Sequence, residues 1–209
     1  MLVIPVINEK DFAEIQRKIK LVESYSNWVQ IDVSDGIFTA RQTWNNPIDL
    51  LKIGSAVKIE AHLMVRNPEL ILENWLKNPL VQRVLVHLEA TLKMERIISL
   101  TREYDKELGI AINPETPIEK LEPYFNRVNF FQILAVAPGS AGQKFNPQVI
   151  DKIGALKLRK NDVIIEVDGG INPENSKLLK NAGADILASA TYIFDSENIK
   201  EAMDNLINV

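Results

Sequence analysis

Residues 163–173 read Val163-Ile164-Ile165-Glu166-Val167-Asp168-Gly169-Gly170-Ile171-Asn172-Pro173. Four of the first five side chains are aliphatic and most are β-branched, which is typical of a short strand buried on both faces of a parallel sheet. Asp168 and two glycines end the strand, and Asn172 and Pro173 then provide an N-cap and a first helical residue. The run therefore predicts a carboxylate at the carboxyl end of a buried strand, where parallel α/β folds bind ligands.

The same alternation of a short apolar run and an amphipathic segment recurs along the whole chain. The two kinds of segment differ in the period of their apolar residues, so each can be assigned separately. The pattern predicts strands at 2–7, 28–33, 57–65, 81–88, 109–112, 128–136, 163–167 and 185–189, and helices at 11–23, 47–53, 68–76, 92–107, 117–124, 147–158, 173–181 and 196–207. Eight strand–helix units predict an α/β fold, a single (β/α)8 TIM barrel domain over residues 1–209, with a doubly wound open sheet as the alternative.

Five predicted helices begin in the same way, with a polar residue followed by a proline. The polar side chain can accept a hydrogen bond from a free backbone N–H of the first turn, and proline lacks an N–H that would be unsatisfied there. The five pairs are Asn46-Pro47, Asn67-Pro68, Thr116-Pro117, Asn146-Pro147 and Asn172-Pro173. They predict capped helix starts in five of the eight units.

The composition narrows the possible partners and compartments. The 209 residues carry a net charge of −4 and contain no cysteine. The acidic balance argues against nucleic acid or an anionic membrane as the main partner. The lack of cysteine excludes disulfides and thiolate metal sites and favours a reducing compartment. The apolar residues 1–7 are too few for a signal peptide or a membrane span, so we expect a soluble cytoplasmic protein.

Few polar side chains lie at the predicted carboxyl ends of strands, where barrels have their active sites. Gln30 and Asp32 share one face of strand two. His62 ends strand three, and Asp168 ends strand seven. Two carboxylates facing each other across the mouth could remove a proton beside a carbonyl and return one on the opposite side, and His62 with both acids could hold a divalent metal. His87 is predicted to be packed and hydrogen-bonded rather than a ligand.

A separate feature predicts an anion site. Gly169-Gly170 before a helix, and the loop at 138–143, offer backbone N–H groups to a phosphate, although glycine pairs and Asp-Gly also form plain turns. The residues alone therefore favour an enzyme acting on a small phosphorylated metabolite that carries a carbonyl group. A structural or interaction protein on a barrel scaffold is the alternative class.

A series of motifs in the same order resembles the ribulose-phosphate 3-epimerase family over nearly the whole chain. Residues 31–36 read Ile-Asp-Val-Ser-Asp-Gly and are similar to the family's His-Ile-Asp-Val-Met-Asp-Gly. Each motif is weak alone, but the common order and spacing are specific. The other matching segments are Ala61-His62-Leu63-Met64-Val65, Asn67-Pro68-Glu69, Val86-His87-Leu88-Glu89-Ala90, Asn113-Pro114, Thr116-Pro117, Val136-Ala137-Pro138-Gly139, Gly142-Gln143-Lys144-Phe145, Glu166-Val167-Asp168-Gly169-Gly170 and Tyr192-Ile193-Phe194.

The resemblance implies a TIM-barrel isomerase of the pentose phosphate pathway that interconverts ribulose 5-phosphate and xylulose 5-phosphate at carbon 3. Asp32 and Asp168 would be its acid and base, and with His62 they would ligate one divalent ion, Zn²⁺, Fe²⁺, Mn²⁺ or Mg²⁺. The family's fourth ligand, a histidine on strand two, is replaced by Gln30. A glutamine amide oxygen can coordinate Mg²⁺ or Mn²⁺ but is a poorer partner for Zn²⁺ or Fe²⁺. We also expect a homo-oligomer.

Other positions depart from the family pattern near the same site. The strand-one serine falls at Val6, and two methionines that cover the planar intermediate fall at Ser34 and Leu134. The glycine after strand eight is Ala190, which adds a methyl group where backbone should approach the phosphate. The predicted substrate-binding residues are His62, Met64, Ala141, Gly142, Gln143, Lys144, Gly169, Gly170, Ala190 and Thr191, and the loop at 137–146 is predicted to close over the sugar.

These departures leave two interpretations open. One is an active epimerase with an altered metal site, acting on ribulose 5-phosphate or on a different ketose phosphate. The other is a metal-free, catalytically degenerate family member that only binds a phosphosugar. Because both acids are retained, the sequence favours activity.

Overall fold

Eight parallel strands pair in the order of the chain and close into a barrel in the computed structural model, which describes residues 1–208. The closed barrel confirms the predicted TIM-barrel fold, and the open-sheet alternative is wrong because β1 also pairs with β8. The strands are β1 (Leu2–Ile7), β2 (Trp28–Ser34), β3 (Lys58–Met64), β4 (Val81–His87), β5 (Glu107–Ile112), β6 (Phe130–Leu134), β7 (Ile164–Asp168) and β8 (Ile186–Ser189).

The helices cover the outside of the barrel and bury an apolar stripe against it, as Ile15, Ile19 and Val22 of the first helix illustrate. The α-helices are α1 (Phe12–Val22), α2 (Leu72–Leu76), α3 (Met94–Glu103), α4 (Val149–Arg159), α5 (Pro173–Ala182), α6 (Thr191–Phe194) and α7 (Ile199–Ile207). Short 3₁₀ helices occupy Pro47–Lys52, Pro68–Leu70, Leu88–Ala90 and Ile118–Tyr124. Within residues 1–208, no helix is both long enough and apolar enough to span a membrane.

Some predicted boundaries were wrong for a local reason. The predicted helix over 92–107 runs into the next strand, whereas α3 ends at Glu103 and Glu107 already belongs to β5. Asp105 has a φ of 52°, a left-handed conformation that α-helix cannot contain, so the chain turns there. The helix over 191–194 was not predicted, and α7 begins three residues later than the predicted start at 196.

Of the five predicted caps, Asn172 caps its helix, and Asn146 accepts a hydrogen bond from the backbone N–H of Gln148 at 3.0 Å just before α4. The Asn172 side chain accepts a hydrogen bond from the backbone N–H of Asn175, and the Asn175 side chain accepts one from Asn172 in return. Asn46 and Asn67 precede 3₁₀ turns without capping them, and Asn67 has a left-handed φ of 52°. Pro117 takes the cap position predicted for residue 116, and α4 begins two residues after Pro147. Proline therefore marks a turn at these sites but does not identify the helix type.

Alternate residues of each strand point into the barrel and form three levels beneath its mouth. The lowest level is a small apolar cluster of Ile4, Leu85, Phe130 and Ile186. The middle level is polar and fully buried, and consists of Gln30, Glu60, Gln132 and Glu166. The top level, at the carboxyl ends of the strands, carries Asp32, His62 and Asp168. The barrel therefore has a polar layer between its apolar floor and its mouth.

Candidate active site at the barrel mouth

Two carboxylates and an imidazole meet at the mouth of the barrel. Asp32 of β2 pairs in register with His62 of β3, and His62 Nδ1 lies 3.1 Å from Asp32 Oδ1. Asp168 of β7 comes from the other side, with its Oδ2 3.7 Å from the same nitrogen. One ligand atom from each of the three residues lies within 4.8 Å of the others. Two carboxylate oxygens and one imidazole nitrogen form a donor set that suits a divalent cation such as Zn²⁺, Fe²⁺ or Mn²⁺.

Gln30 reaches the site with its amide nitrogen rather than its oxygen. Gln30 Nε2 donates to Asp32 Oδ1 at 2.8 Å and to Asp168 Oδ2 at 2.9 Å. Its Oε1 points down into the barrel and accepts a hydrogen bond from Gln132 Nε2 at 3.1 Å. In this arrangement the atom of Gln30 that faces the two acids is a donor rather than a cation ligand, and the role of Gln30 as a metal ligand stays a prediction.

The two acids have opposite pKa shifts. Burial alone would raise the pKa of Asp32, but hydrogen bonds from His62, Asn8 and Gln30 and the charge on His62 outweigh burial and lower it. Burial and the neighbouring carboxylate of Asp32 raise the pKa of Asp168 to about 7. Near neutral pH the site can therefore hold one carboxylate and one carboxylic acid, the pairing that acid–base catalysis needs.

A second histidine supports the first from behind. His62 Nε2 lies 2.9 Å from His87 Nε2, and both rings are buried. The far nitrogen of His87, Nδ1, lies 3.4 Å from Glu89 Oε2. Burial would raise the pKa of Glu89, but His87, the Thr116 hydroxyl and a backbone N–H lower it to about 2. The prediction that His87 is packed and hydrogen-bonded is confirmed, and its partner is the candidate ligand itself.

Apolar side chains line the walls between the acids and the surface. Val6, Met64 and Leu134 all lie on the cavity, and each is 2% exposed. About 40 Å³ of the cavity can be reached by the centre of a water molecule.

The loop at 137–146 closes the top of this cavity. Gln143 Nε2 donates to the carbonyl oxygens of Ala137 and Ser140, both at 2.7 Å, and so braces the loop internally. Gly170 has a φ of 65°, and an added Cβ there would lie 2.7 Å from the backbone nitrogen of Phe145. The backbones of the loops after β6 and β7 thus touch at a position that requires glycine.

Most predicted substrate-binding residues line this cavity, but one does not. Ala141, Gly142, Gln143, Gly169, Gly170, Ala190 and Thr191 lie on it together with His62 and Met64. Lys144 is exposed and faces a separate cleft beside α5. An adjoining cleft of about 680 Å³ shares Gly142, Gln143, Gly170 and Thr191 with the cavity and is open to solvent.

The sequence analysis missed two residues that contact the site. Asn8, directly after β1, donates through Nδ2 to Asp32 Oδ2 at 2.9 Å. Gln132, in the middle of β6, orients Gln30 as described above. A polar residue inside an otherwise apolar strand was the available signal for Gln132, and a polar residue at a strand end was the signal for Asn8.

The family model described as "Ribulose-phosphate 3 epimerase family" matches residues 2–194. Proteins named ribulose-phosphate 3-epimerase are similar over nearly full length. The protein of Chlamydia trachomatis is 34% identical, covering 96% of this chain and 90% of its own. The protein of Synechocystis is 33% identical, covering 100% of this chain and 94% of its own. The protein of Bacillus subtilis is 31% identical, covering 98% of this chain and 97% of its own.

Solved structures show the same fold at low sequence identity. A 3-hexulose-6-phosphate synthase superposes with a TM-score of 0.74 at 14% identity, covering 99% of this chain and 98% of that one. Orotidine 5'-phosphate decarboxylase from Pyrococcus horikoshii superposes with a TM-score of 0.68 at 18% identity, and both chains are fully covered. At these identities the likeness is one of architecture only.

Proposed function

Because the chain belongs to the ribulose-phosphate 3-epimerase family, we propose that it interconverts ribulose 5-phosphate and xylulose 5-phosphate by moving a proton at carbon 3. The observation that carries the proposal is the pair of carboxylates of Asp32 and Asp168, which enter the same cavity from β2 and β7. An epimerase needs a base on one side of the carbon and an acid on the other, and two carboxyl groups that come from different strands support that pairing.

The proton transfer needs one of the two acids ionised and the other protonated. Asp32, ionised, takes the proton from carbon 3, and the electron pair of the broken C–H bond moves into the adjacent carbonyl to form an enediolate. Asp168 delivers a proton to the opposite face of carbon 3, and the carbonyl re-forms. In the reverse direction the two residues exchange roles, so one pair of groups serves both epimers.

Asp32, His62 and Asp168 would hold the divalent ion that the family implies. When bound, such an ion supplies positive charge that stabilises the negative charge developing on the substrate oxygens. His62 is held in place by His87 on its far side, so its Nδ1 stays directed at the two acids. Asn8 contributes by fixing the rotamer of the Asp32 carboxylate.

The phosphate would bind where the loops after β6, β7 and β8 approach one another. Gly142, Gly170 and Thr191 line both the small cavity and the adjoining open cleft, so a sugar phosphate could place its carbonyl end inside and its phosphate between these loops. Closure of the loop at 137–146 would then keep water from the enediolate.

The test is exchange of the carbon 3 proton with solvent. Purified protein would be incubated with ribulose 5-phosphate in deuterated buffer, with Mn²⁺, Zn²⁺ or Fe²⁺ supplied in turn. We expect deuterium at carbon 3 and formation of xylulose 5-phosphate. If none of these metals supports exchange and Gln30→His does, the natural chain is not an epimerase of this substrate.

A second function is favoured by the orientation of Gln30, whose N–H groups bridge the carboxylates without any metal. In that case the chain binds a phosphosugar and does not turn it over. Calorimetric binding of ribulose 5-phosphate together with absence of exchange would support this function, and exchange on a different ketose phosphate would support an epimerase of another specificity.

A further inference from the structure

The middle level of the barrel contains an amide pair directly beneath the two acids. Gln30 and Gln132 are both completely buried. Gln132 Nε2 donates to Gln30 Oε1 at 3.1 Å and to Glu166 Oε1 at 2.8 Å. Gln30 then donates upward to both carboxylates. The two amides thus connect a carboxyl group inside the barrel to the site at its mouth.

The contacts at both ends of the Gln30 amide determine which way it points. On its upper side its nitrogen faces Asp32 Oδ1 and Asp168 Oδ2. If the amide were rotated, its oxygen would face the ionised Asp32 carboxylate, and its NH2 group would face the NH2 group of Gln132. Like groups in contact in a buried site are strongly unfavourable, because neither can reach water instead.

We propose that Gln132 is a positioning residue that keeps Gln30 as a hydrogen-bond donor to both acids. A cation at this site then has Asp32, His62 and Asp168 as its protein ligands. It competes with the Gln30 amide for the carboxylate oxygens. The inference rests on the metal site of the proposed function but not on turnover. Gln30 holds the two carboxylates together from below when no cation is bound. A cation draws the same oxygens away from the amide, and this lowers its net affinity.

The first test replaces Gln30 with an apolar side chain of similar length. Gln30→Met removes both the amide oxygen and the N–H groups. If Gln30 competes with the cation, the variant binds Mn²⁺ about tenfold more tightly than the natural protein, the effect of losing one or two charge-assisted hydrogen bonds. Calorimetric titration of the substrate-free protein with Mn²⁺ measures this, and Zn²⁺ should behave in the same way.

Two results of that titration would overturn the proposal. A tenfold or greater loss of Mn²⁺ affinity in Gln30→Met would mean that the amide oxygen is a ligand. Absence of Mn²⁺ and Zn²⁺ binding in both proteins would mean that the three remaining residues do not form a cation site. Undetectable binding in the natural protein with measurable binding in the variant would support the proposal.

The second test isolates the role of Gln132. Gln132→Met removes the donor that holds the Gln30 oxygen downward, so the Gln30 amide can rotate and offer its oxygen to the cation. We expect Mn²⁺ binding to tighten by about threefold to tenfold with Gln30 present and not to change further when Gln30→Met is already in place. Equal effects in both backgrounds, or no effect in either, would contradict the positioning role.

A matched control and an independent readout guard against effects of folding. Thr101→Val removes a buried hydroxyl in α3, away from the barrel interior, and should leave Mn²⁺ affinity unchanged.

If Gln132→Met does not fold, the ¹H–¹⁵N signals of the Gln30 side-chain amide provide the test. These signals are identified by their loss in Gln30→Met. We expect both protons shifted downfield in the metal-free protein and moved upfield by Zn²⁺. No movement would overturn the competition.

These measurements use no substrate, so they can contradict the inference about Gln30 and Gln132 without contradicting the proposed function. Tighter Mn²⁺ binding by Gln30→Met without any exchange at carbon 3 would remove the epimerase proposal and keep the inference. If the natural protein exchanges the carbon 3 proton and Gln30→Met binds Mn²⁺ more weakly than it does, the epimerase proposal is kept and the inference about Gln30 is removed.

Discussion

Asp32 and Asp168 are the same chemical group in two different environments, and this difference determines their proposed roles. Asn8, Gln30 and His62 all donate to Asp32 or carry charge beside it, and the pKa of Asp32 is lowered despite burial. Asp168 receives one hydrogen bond from Gln30 and lies beside a carboxylate, and its pKa is raised to about 7. The assignment of base and acid therefore depends on neighbours rather than on residue type.

At the scale of single residues, Asp32→Asn should abolish exchange at carbon 3. Asparagine keeps the shape of the side chain but cannot take a proton, so we expect the exchange rate to fall by about 10²–10⁴-fold. Binding of ribulose 5-phosphate, measured by calorimetry, should remain within a few-fold because the phosphate loops are unchanged. Loss of binding together with a lower melting temperature would indicate a structural role for Asp32 instead.

The elements that complete the site are the loops at the carboxyl ends of the strands. Four glycines in the loops after β6 and β7 have positive φ, at 139, 142, 169 and 170. Gly170 is the most constrained by its surroundings, because an added Cβ would meet backbone atoms of Phe145 and of Gln143 that cannot rotate away. Glycine is therefore required at position 170 because the backbones of the two loops approach each other closely there.

At this scale Gly170→Ala should disrupt the contact between the two loops. The φ of 65° alone costs an alanine about 1–2 kcal/mol, and the 2.7 Å approach to the Phe145 nitrogen adds to this. We expect weaker binding of ribulose 5-phosphate and a lower free energy of unfolding. Both are measurable, by calorimetry and by urea denaturation.

Gly154→Ala is the matched control for that substitution. Gly154 lies inside α4, and an added Cβ there meets nothing within 4 Å. Alanine should raise the free energy of unfolding by about 0.5–1 kcal/mol, because it reduces the entropy lost when the helix forms. If the two substitutions had the same effect, the loop contact would not be important.

The whole molecule is a barrel whose interior is partly charged. Glu60 is fully buried, and its carboxylate accepts a hydrogen bond from Arg83 Nη1 at 2.6 Å. The Arg83 guanidinium lies 3.9 Å from the centre of the Phe130 ring and 4.4 Å from that of the Trp28 ring. These two aromatic rings cover the guanidinium at the lower end of the barrel. This ion pair supports the polar layer on which Gln30 and Gln132 rest.

At the scale of the whole fold, Arg83→Met should destabilise the protein by about 3–5 kcal/mol, because Glu60 is left buried without its partner. Urea denaturation at pH 7 measures the loss. Adding Glu60→Gln should recover part of it, since the uncompensated charge is then gone. If Arg83→Met alone were as stable as the natural protein, the Glu60 carboxylate would have to reach water by another route.

Much of the architecture could be predicted because it depends on local patterns. The strand ending at Asp168 was predicted to within one residue, and Gln30 and Asp32 do share the inner face of β2, since side chains alternate along any strand. The predictions of a homo-oligomer and of a cytoplasmic location stay predictions. The errors were at Glu107, at the helix caps and at α6, which was not predicted. At Asn67 and Asp105 a left-handed backbone conformation overrides the pattern.

The sequence by itself determined the barrel and the presence of Asp32, His62 and Asp168 at one rim. Only the tertiary structure decided which end of the Gln30 amide faces the acids and which acid has the raised pKa. Strand periodicity is a property of neighbouring residues, whereas the contact of Gln30 with Asp168 joins positions 138 residues apart. An amide has a donor and an acceptor end of nearly equal shape, so only the groups that folding brings to each end can choose between them.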